Sequence, residues 1–454
     1  MAPLSATLAR TASAAGEPEV RELVRLVASG TQEQKVEAAN MLGAFAAIEP
    51  GILKANQSRR ASERKELPSQ LIVRCGAVQP LCGLLAGGRD DGQIAAAATL
   101  ASISGSHAAH QEAIAKAGAI APLVAVLRSG SNRAQMQSGA ALASLSSRSS
   151  LQFPILRAGT AVPLVRLARV GNADAQFFAA SAIANLCQDN AEAQSAVAAA
   201  GVVPILVTML QSGKVQMPAA SALAKLAAGQ SASTREAIAR DGLAPLVALL
   251  HGISVPAQVQ AAAALAELAR DEPTVQIGVA KAGGLRPLIA MMEGRNAQAQ
   301  ARAASAIAQV AVQNPDNQET IYRLGGLPPM ISLLGREQSA EVQTMGALAV
   351  ASTCHGHEEN RTPQPTPTRE SQPPSIHYLH PMRPGLSLHH PYDRRSCARM
   401  LAQKRKLLTW ASSQCSRLSY AGAATVRNKR RTPSRVAPQR RYGPLPMLTP
   451  RTSR

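Results

Sequence analysis

Aromatic residues are scarce in this chain of 454 residues, since Phe, Trp and Tyr together make up only 2 % of it. The single tryptophan and four of the five tyrosines lie after residue 353. The residues before that point are rich instead in Ala, Leu, Ile and Val, whose compact side chains allow helices to pack closely. The composition therefore favours thin, closely packed helices and argues against a core built around large rings.

Motifs of enzyme and cofactor sites are also missing. The sequence contains no Gly-x-x-x-x-Gly-Lys phosphate loop, no His-Glu-x-x-His zinc pair and no Gly-x-Ser-x-Gly nucleophile turn. The six cysteines include no Cys-x-x-Cys pair, and the histidines between residues 377 and 390 do not follow the spacing of a zinc site. We expect no catalysis, no cofactor, no metal and no small-molecule substrate. The cysteine pattern favours a reducing compartment, cytoplasmic and/or nuclear.

No apolar run is long enough to cross a bilayer. The most apolar stretch, residues 195–210, falls short of the about 20 residues that a membrane span needs. The formal net charge is +20, and the residues from Thr353 onward contribute +15 of it. The excess of positive charge therefore belongs to the C-terminal part, and it does not predict specific nucleic-acid binding by the remainder.

Seven prolines follow glycine-containing stretches at nearly constant spacing, and each leads into a short apolar run. The steps between them are 41 or 42 residues, and the prolines are Pro80, Pro122, Pro163, Pro204, Pro245, Pro287 and Pro329. In the best-formed copy, Gly201 ends a first helix that begins near Asn190, Pro204 begins a second helix, and residues 215–228 form a third. None of these helices can bury its apolar face alone, so the period predicts stacked three-helix units.

The repeat resembles that of the armadillo family. The matching pieces are Gly-Ala-Ile-Ala-Pro-Leu-Val at 118–124, Gly-Gly-Leu-Arg-Pro-Leu-Ile at 283–289 and Gly-Gly-Leu-Pro-Pro-Met-Ile at 325–331, followed by Ala-rich stretches such as 179–186 and 303–310. The resemblance implies an all-α fold, a right-handed α-solenoid of about seven to eight three-helix repeats. HEAT repeats, which normally have two helices per unit, are the less favoured alternative.

The period and the composition together predict the organisation of the chain. Residues 70–353 hold seven repeats, and residues 17–48 supply the last two helices of an eighth. We expect disorder in residues 1–16, in the polar insertion 49–69 and in the basic, Pro- and Arg-rich tail 354–454. An alternative for the tail is a gene-model artefact, in which translated intron or read-through sequence replaces further repeats.

In armadillo proteins the third helices line an inner groove, so the resemblance implies protein binding there. Nuclear import adaptors of the importin-α type hold basic peptides with a Trp and, four residues later, an Asn on each third helix. The Asn position here is occupied by Ser102, Ser144, Asn185, Lys225, Glu267, Gln309 and Val350. The Trp position holds Ala98, Ala140, Ser181, Ser221, Ala263, Ser305 and Gly346. Because no aromatic ring is available to hold a cation, we do not expect import signals to bind.

Two further features mark the predicted groove. Nine residues before the Asn position is a row made of Gln93, Gln135, Gln176, Gln216, Gln258 and Gln300, with Glu341 in the seventh unit. Stacked amides can pair with a peptide backbone; the alternative is that each one is solvated or caps its neighbour. Phe177 and Phe178 lie about 100° apart on a helix. We expect one ring to be buried and Phe177 to face the groove beside Asn185 and Lys225; the alternative is that both fill the core.

A row of cations lies at the end of the predicted first helices. It comprises Arg74, Lys116, Arg157, Arg240, Lys281 and Arg323. A positive charge at a helix C-terminus offsets the helix dipole by about 0.3–1 kcal/mol, which accounts for the row without a partner. The alternative is a basic ridge that meets an acidic partner or an anionic membrane surface.

The sequence therefore favours a non-enzymatic scaffold that binds an extended or helical segment of another protein in the groove, as a monomer or in a hetero-complex. Two other functions remain open. One is a nuclear import adaptor, which the missing Trp and Asn residues disfavour. The other is a membrane-peripheral organiser that uses the basic ridge. The identity of the partner is not encoded in any motif of the chain.

Overall fold

The computed structural model describes residues 16–49, 67–105 and 107–354, and within these ranges the chain forms helices joined by short turns, without a strand. All described residues belong to one compact unit, which lies within Met1–Gln372. The predicted disorder in the N-terminal segment, the insertion and the tail falls on residues that lie almost entirely outside the described ranges.

Two helices precede seven repeating units, and the units are numbered here in chain order. The helices are α1 (Glu17–Ser29) and α2 (Gln32–Ala47); unit one, α3 (Pro68–Arg74), α4 (Val78–Gly87) and α5 (Asp90–Ser104); unit two, α6 (Ala108–Lys116), α7 (Ile120–Ser129) and α8 (Asn132–Ser146); unit three, α9 (Ser149–Arg157), α10 (Ala161–Val170) and α11 (Ala173–Leu186); unit four, α12 (Ala191–Ala199), α13 (Val203–Met209) and α14 (Gln216–Ala227). The remaining helices are, in unit five, α15 (Ala232–Leu250) and α16 (Val255–Ala269); in unit six, α17 (Pro273–Lys281), α18 (Leu285–Glu293) and α19 (Ala297–Ala311); in unit seven, α20 (Pro315–Arg323), α21 (Leu327–Ser332) and α22 (Ala340–Cys354).

The third helix of each unit packs against the third helices of the units before and after it, from α2 through to α22. The second helix packs on the third helix of its own unit, in a separate layer. One large aliphatic side chain at the same place in the third helices of units one to six is fully buried between the layers; these are Leu100, Leu142, Ile183, Leu223, Leu265 and Ile307. This stacking confirms the predicted α-solenoid, whose core is a continuous seam between units and not a central cluster.

The turn between the first and second helices follows the predicted glycine chemistry. Its glycine adopts a left-handed φ of 72–81° in six units, at Gly76, Gly118, Gly159, Gly201, Gly283 and Gly325. Only glycine reaches this region without steric cost, and it lets the chain reverse while the last helical carbonyls stay bonded. In unit four, the Asn190 side chain caps α12 by accepting from the Ala193 N–H at 3.0 Å, and Pro204 lies in the first turn of α13.

Unit five departs from the three-helix prediction. Its first and second helices are joined into the single helix α15, which runs through Gly242 and Pro245. Gly242 has no left-handed φ. Gly242 lies close to the preceding unit: a Cβ built on it would be 3.3 Å from Cγ2 of Val207 in unit four.

The N-terminal helices continue the same packing. The Thr99 hydroxyl of α5 donates to the carbonyl oxygen of Ala39 in α2 at 2.7 Å, and Arg74 forms an ion pair with Glu17 at 3.0 Å. Throughout the described ranges, no single helix combines the length and the apolar composition of a membrane span. Two pairs of short helices have that length and composition only when each pair is taken together, namely α3 with α4 and α12 with α13. The angle between the two helices is 81° in the first pair and 86° in the second.

Candidate protein-binding groove

Successive third helices expose the same two positions, four residues apart, between buried neighbours. The first of these positions holds Ala98, Ala140, Ser181, Ser221, Ala263 and Ser305, all half-buried. The second holds Ser102, which is exposed, and Ser144, Asn185, Lys225, Glu267 and Gln309, which are half-buried. In the seventh unit, Gly346 is buried and Val350 is half-buried. These positions form one continuous accessible strip along the third-helix layer, and this strip is called the groove below.

Polar side chains of the groove are partly used to link neighbouring units. The Asn185 amide nitrogen donates to the carbonyl oxygen of Ala143 at 2.9 Å and contacts Oγ of Ser146 at 3.4 Å. The Ser144 hydroxyl donates to the carbonyl oxygen of Gly105 at 3.2 Å. Both bonds satisfy carbonyl groups at or just beyond the C-terminus of the preceding third helix. Asn185 therefore retains its side-chain oxygen, an acceptor, for contact with a ligand.

The predicted glutamine row caps the ends of the second helices in several units. Gln135 donates to Gly130 O at 2.9 Å. Gln258 donates to Leu250 O at 3.0 Å and to Gly252 O at 2.8 Å. Gln300 donates to Met292 O and Gly294 O at 3.2 and 2.8 Å. Gln135 and Gln300 are each only 8 % exposed. These amides serve the capping role that was left open as the alternative, whereas Gln93, Gln176 and Gln216 are half-buried.

In the seventh unit the capping amide is Gln343 and not a residue at the expected position of Glu341. Gln343 donates to Gly335 O at 2.8 Å, while Glu341 is exposed. Gln343 lies two residues after the position that the repeat period predicts, so the period alone does not identify it as the capping residue.

The phenylalanine pair of unit three lies at the groove. The rings of Phe177 and Phe178 are 5.7 Å apart and nearly perpendicular, at 83°. Both rings are half-buried, where one of the two was expected to be buried. Phe177 packs against the hydrophobic core, and Cβ of Phe178 is 3.8 Å from a Cβ built on Gly139 in the preceding third helix. The pair thus contributes apolar surface to the groove without leaving the core.

At one further position of the third helices, apolar side chains are accessible in units one to four only. Four units before the fused helix carry large half-buried apolar residues at one shared position, namely Ile94, Met136, Phe177 and Met217. The same position is buried in the last three units, where Val259, Ala301 and Val342 are at most 2 % exposed. In those units the next residue along each helix is accessible instead, and it is polar: Gln260, Arg302 and Gln343. We call units one to four the apolar half and units five to seven the polar half.

Charged residues at and near the groove carry both signs, and some of them are paired within the chain. The Lys214 ammonium group contacts the Asp174 carboxylate across units three and four. Glu267 pairs with Arg270 at 2.9 Å. The groove therefore has no acidic excess with which to attract a basic peptide.

A second row of glutamines, which the sequence analysis missed, fastens consecutive units together. Gln194 of the first helix α12 donates to Cys187 O at 2.9 Å and to Lys225 O at 3.1 Å, so it bonds the ends of two successive third helices. Gln318 likewise donates to the ends of two successive third helices, at Ala311 O and Ser352 O. Gln152 and Gln276 donate to the end of the preceding third helix only, and Gln111 donates to the third helix of its own unit. The corresponding residue of unit five is Arg235, whose Nε is buried without a partner among the described residues. The regular spacing of these glutamines was the available signal.

Most residues of the predicted basic ridge interact within the chain. Arg240 pairs with Asp241 at 2.9 Å, Arg323 with Glu319 at 2.6 Å, and Arg74 with Glu17. Arg157 stacks on the ring of Phe153, with 4.5 Å between Cζ and the ring centroid. Lys116 and Lys281 lie in the last turns of their helices. Because α15 continues past Arg240, the helix-dipole explanation does not apply to that residue.

The described residues offer little reactive chemistry. They contain no group of three His, Cys, Asp or Glu side chains placed to hold a metal ion. Burial raises the pKa of the Cys82 thiol to about 11 and that of Cys187 to about 12. Both thiols are therefore protonated at neutral pH and are poor nucleophiles.

Comparisons with known proteins agree with this architecture. A sequence model of the Armadillo/beta-catenin-like repeat matches residues 66–105, which contain unit one. The chain belongs to the armadillo repeat family. A solved structure of an engineered protein is 29 % identical over 77 % of this chain and 91 % of its own length, with a TM-score of 0.59. No curated protein sequence matches the chain.

Two shorter solved structures are also similar to this armadillo chain. One is another engineered protein, 31 % identical, which covers 52 % of this chain and 96 % of its own length with a TM-score of 0.48. The other is a designed armadillo repeat protein in complex with the peptide (KR)4; it is 25 % identical and covers 51 % of this chain and 99 % of its own length, with a TM-score of 0.46.

Proposed function

We propose that this armadillo protein is a non-enzymatic scaffold, which binds a segment of a partner protein in the groove. The observation that supports this most directly is the continuous accessible strip along the third helices. Its floor consists of Ala and Ser side chains, which leave the backbone of a bound segment free to approach. The half-buried apolar residues of units one to four supply surface that a ligand can cover.

The side-chain chemistry favours a segment with apolar residues over a basic import signal. Aromatic anchors near hydrogen-bonding groups dominate many protein interfaces, and Phe177 and Asn185 lie about two turns apart along α11. A basic peptide would find neither aromatic cages nor an acidic excess in this groove. The membrane alternative is weakened as well, because three of the six ridge cations already pair with carboxylates of the chain.

Display of a random peptide library against the purified full-length chain tests the proposal. We expect selected peptides to be rich in apolar residues, and we expect Phe177→Ala to weaken their binding by about tenfold, since loss of an anchor costs about 1–2 kcal/mol or more. Tyr322→Ala is the matched control, because that ring is 51 % exposed on the first helix α20, away from the groove. Equal binding by the parent chain and Phe177→Ala would contradict the proposal.

A further inference from the structure

One stretch of the solenoid is entirely free of acidic residues. From residue 113 to residue 173, which covers most of unit two and all but the last helix of unit three, there is no Asp or Glu, but there are seven Lys or Arg residues. The residues before Thr353 carry a net charge of only +5 in total. The positive charge of the folded array is therefore concentrated in these two units.

Four of the arginines lie on three neighbouring helices, α7, α9 and α10, and α7 contacts each of the other two. They are Arg128, Arg157, Arg166 and Arg169, all of them exposed. Nη2 of Arg128 is 3.3 Å from a Cβ built on Gly159, in the turn that follows Arg157. Arg128 and Arg169 occupy equivalent places on successive second helices. No carboxylate of the described residues pairs with any of the four.

Exposed apolar side chains lie among these arginines. On α10, Val162 and Val170 are 67 % and 65 % exposed, and together with Arg166 and Arg169 they form one face about 12 Å long, from the helical rise of 1.5 Å per residue. The Phe153 ring, beneath the Arg157 guanidinium, is 44 % exposed. Helix-dipole compensation accounts for arginines in a last turn. It does not account for Arg166, which is in mid-helix, or for the exposed valines.

We propose that this arginine patch, on the second-helix layer of units two and three, is a docking site for an acidic segment of a partner protein. Guanidinium groups bind carboxylates in bidentate geometry. All four cations are Arg, which is enriched in protein interfaces where Lys is depleted, and polybasic membrane-binding segments show no such preference. Val162, Val170 and Phe153 add apolar contact beside the charges. The site is separate from the groove, so its failure and that of the proposed scaffold function are distinguishable.

A labelled peptide of repeating Glu-Glu-Leu, titrated with the full-length chain and followed by fluorescence anisotropy, tests the patch. The triple variant Arg128→Gln, Arg166→Gln, Arg169→Gln is expected to bind about tenfold more weakly. The matched control carries Arg286→Gln, Arg295→Gln and Arg336→Gln, three exposed arginines of the last two units that lie outside the groove positions. Both variants lose the same charge and keep the same basic tail, so the difference between them isolates the patch. Phe177→Ala in the groove is expected to leave this binding unchanged.

Two further measurements separate an acidic protein segment from other anions. Replacing the same three arginines by Lys keeps the charge but removes the bidentate geometry, and we expect the Lys variant to lose most of the affinity that the Gln substitutions remove. Vesicles of phosphatidylcholine and phosphatidylserine, and duplex DNA, are expected to bind the parent chain and both Gln variants equally. Equal weakening of peptide binding by the two triple Gln variants, full binding by the Lys variant, or patch-dependent binding to vesicles or DNA alone would overturn the proposal.

Discussion

Units one to four and units five to seven share one architecture but differ in what their third helices expose. In the apolar half, the accessible position holds Ile94, Met136, Phe177 and Met217; in the polar half, the accessible residue is one place further along the helix and is Gln or Arg. The large buried aliphatic side chain between the layers is present in both halves. The comparison shows that the core seam sets the stacking, while a small change in the exposed position alters the chemistry of the groove.

Other irregularities lie at the boundary between the two halves. Unit five has a fused helix where the other units turn at a left-handed glycine. It also has Arg235 in place of the glutamine that bonds successive third helices. The third helices α14 and α16 nevertheless pack directly across this boundary. The boundary is thus altered in its first and second helices and continuous in its third-helix layer.

The largest expected effect concerns whether the two halves unfold together. Ile183→Ala in unit three and Ile307→Ala in unit six each remove a fully buried side chain, so each should cost about 2–5 kcal/mol of unfolding free energy. Because third-helix packing crosses the boundary, both variants should lower the midpoint of one common urea transition, followed by circular dichroism. The exposed residue Val170, replaced by Ala, is the control and should change stability by less than about 0.5 kcal/mol. Two separate transitions, one sensitive to each variant, would show that the halves are independent.

For the second glutamine row, we expect opposite changes in the free energy of unfolding from two substitutions, one in unit four and one in unit five. Gln194→Ala leaves Cys187 O and Lys225 O without their amide donor, which should cost about 1–3 kcal/mol. Arg235→Gln should instead stabilise the chain by about 0.5–1.5 kcal/mol, because it replaces a buried unpaired Nε by an amide that can make the same bonds. Chemical denaturation measures both changes. Gln298→Ala, at an exposed position of α19, is the control, and a destabilising Arg235→Gln would refute this explanation of the row.

The sequence was sufficient to predict the solenoid and most of its helices. In unit four, the first helix was predicted to end just before Gly201, and the observed helix ends at Ala199. The third helix was predicted over residues 215–228, and the observed helix is Gln216–Ala227. The fused helix of unit five was not predictable, because Gly242 stands at the same repeat position as Gly201. What distinguishes Gly242 is its contact with Val207 of the neighbouring unit, and spacing along the chain does not reveal such contacts.

The groove was predictable in position and less so in chemistry. The strip of accessible positions falls on the third helices, as the resemblance implied. The use of the Asn185 and Gln300 amides within the chain was not apparent, because it depends on which carbonyls the neighbouring helix ends leave unsatisfied. The distinction between the two halves was not apparent either, because it depends on which residue of each third helix the surrounding helices leave accessible.

Gly201 and Gly242 occupy the same repeat position in units four and five, but replacing each by alanine should change stability differently. Gly201 has a φ of 77° and nothing within 4 Å of a built Cβ, so Gly201→Ala should cost about 1–2 kcal/mol from backbone strain alone. Gly242 has helical backbone, so Gly242→Ala should be neutral or should stabilise by up to about 1 kcal/mol, less any crowding against Val207. Thermal unfolding of the two variants measures the difference. Similar destabilisation by both would mean that unit five turns at its glycine after all.

The smallest expected effect comes from an ion pair of the apolar half. Arg148 of unit three donates from Nε to Oε1 of Glu112 in unit two at 3.0 Å, whereas the pairs of Glu267 with Arg270 and of Glu319 with Arg323 lie within one unit. The hydrogen bond from Arg148 holds the pKa of Glu112 below its ordinary value of 4.5.

A carboxyl group whose pKa is lower in the folded chain than in the unfolded chain stabilises the fold above the unfolded value, and this contribution is lost as the pH falls through the folded value. Stability should therefore decrease below about pH 4.5, and Arg148→Ala should make this part of the decrease shallower. The contribution is small because both side chains are about one-third exposed. Arg323→Ala is the control for a pair within one helix, and urea titrations between neutral and acidic pH compare the two. An unchanged pH dependence in Arg148→Ala would show that this link between units two and three does not contribute to their coupling.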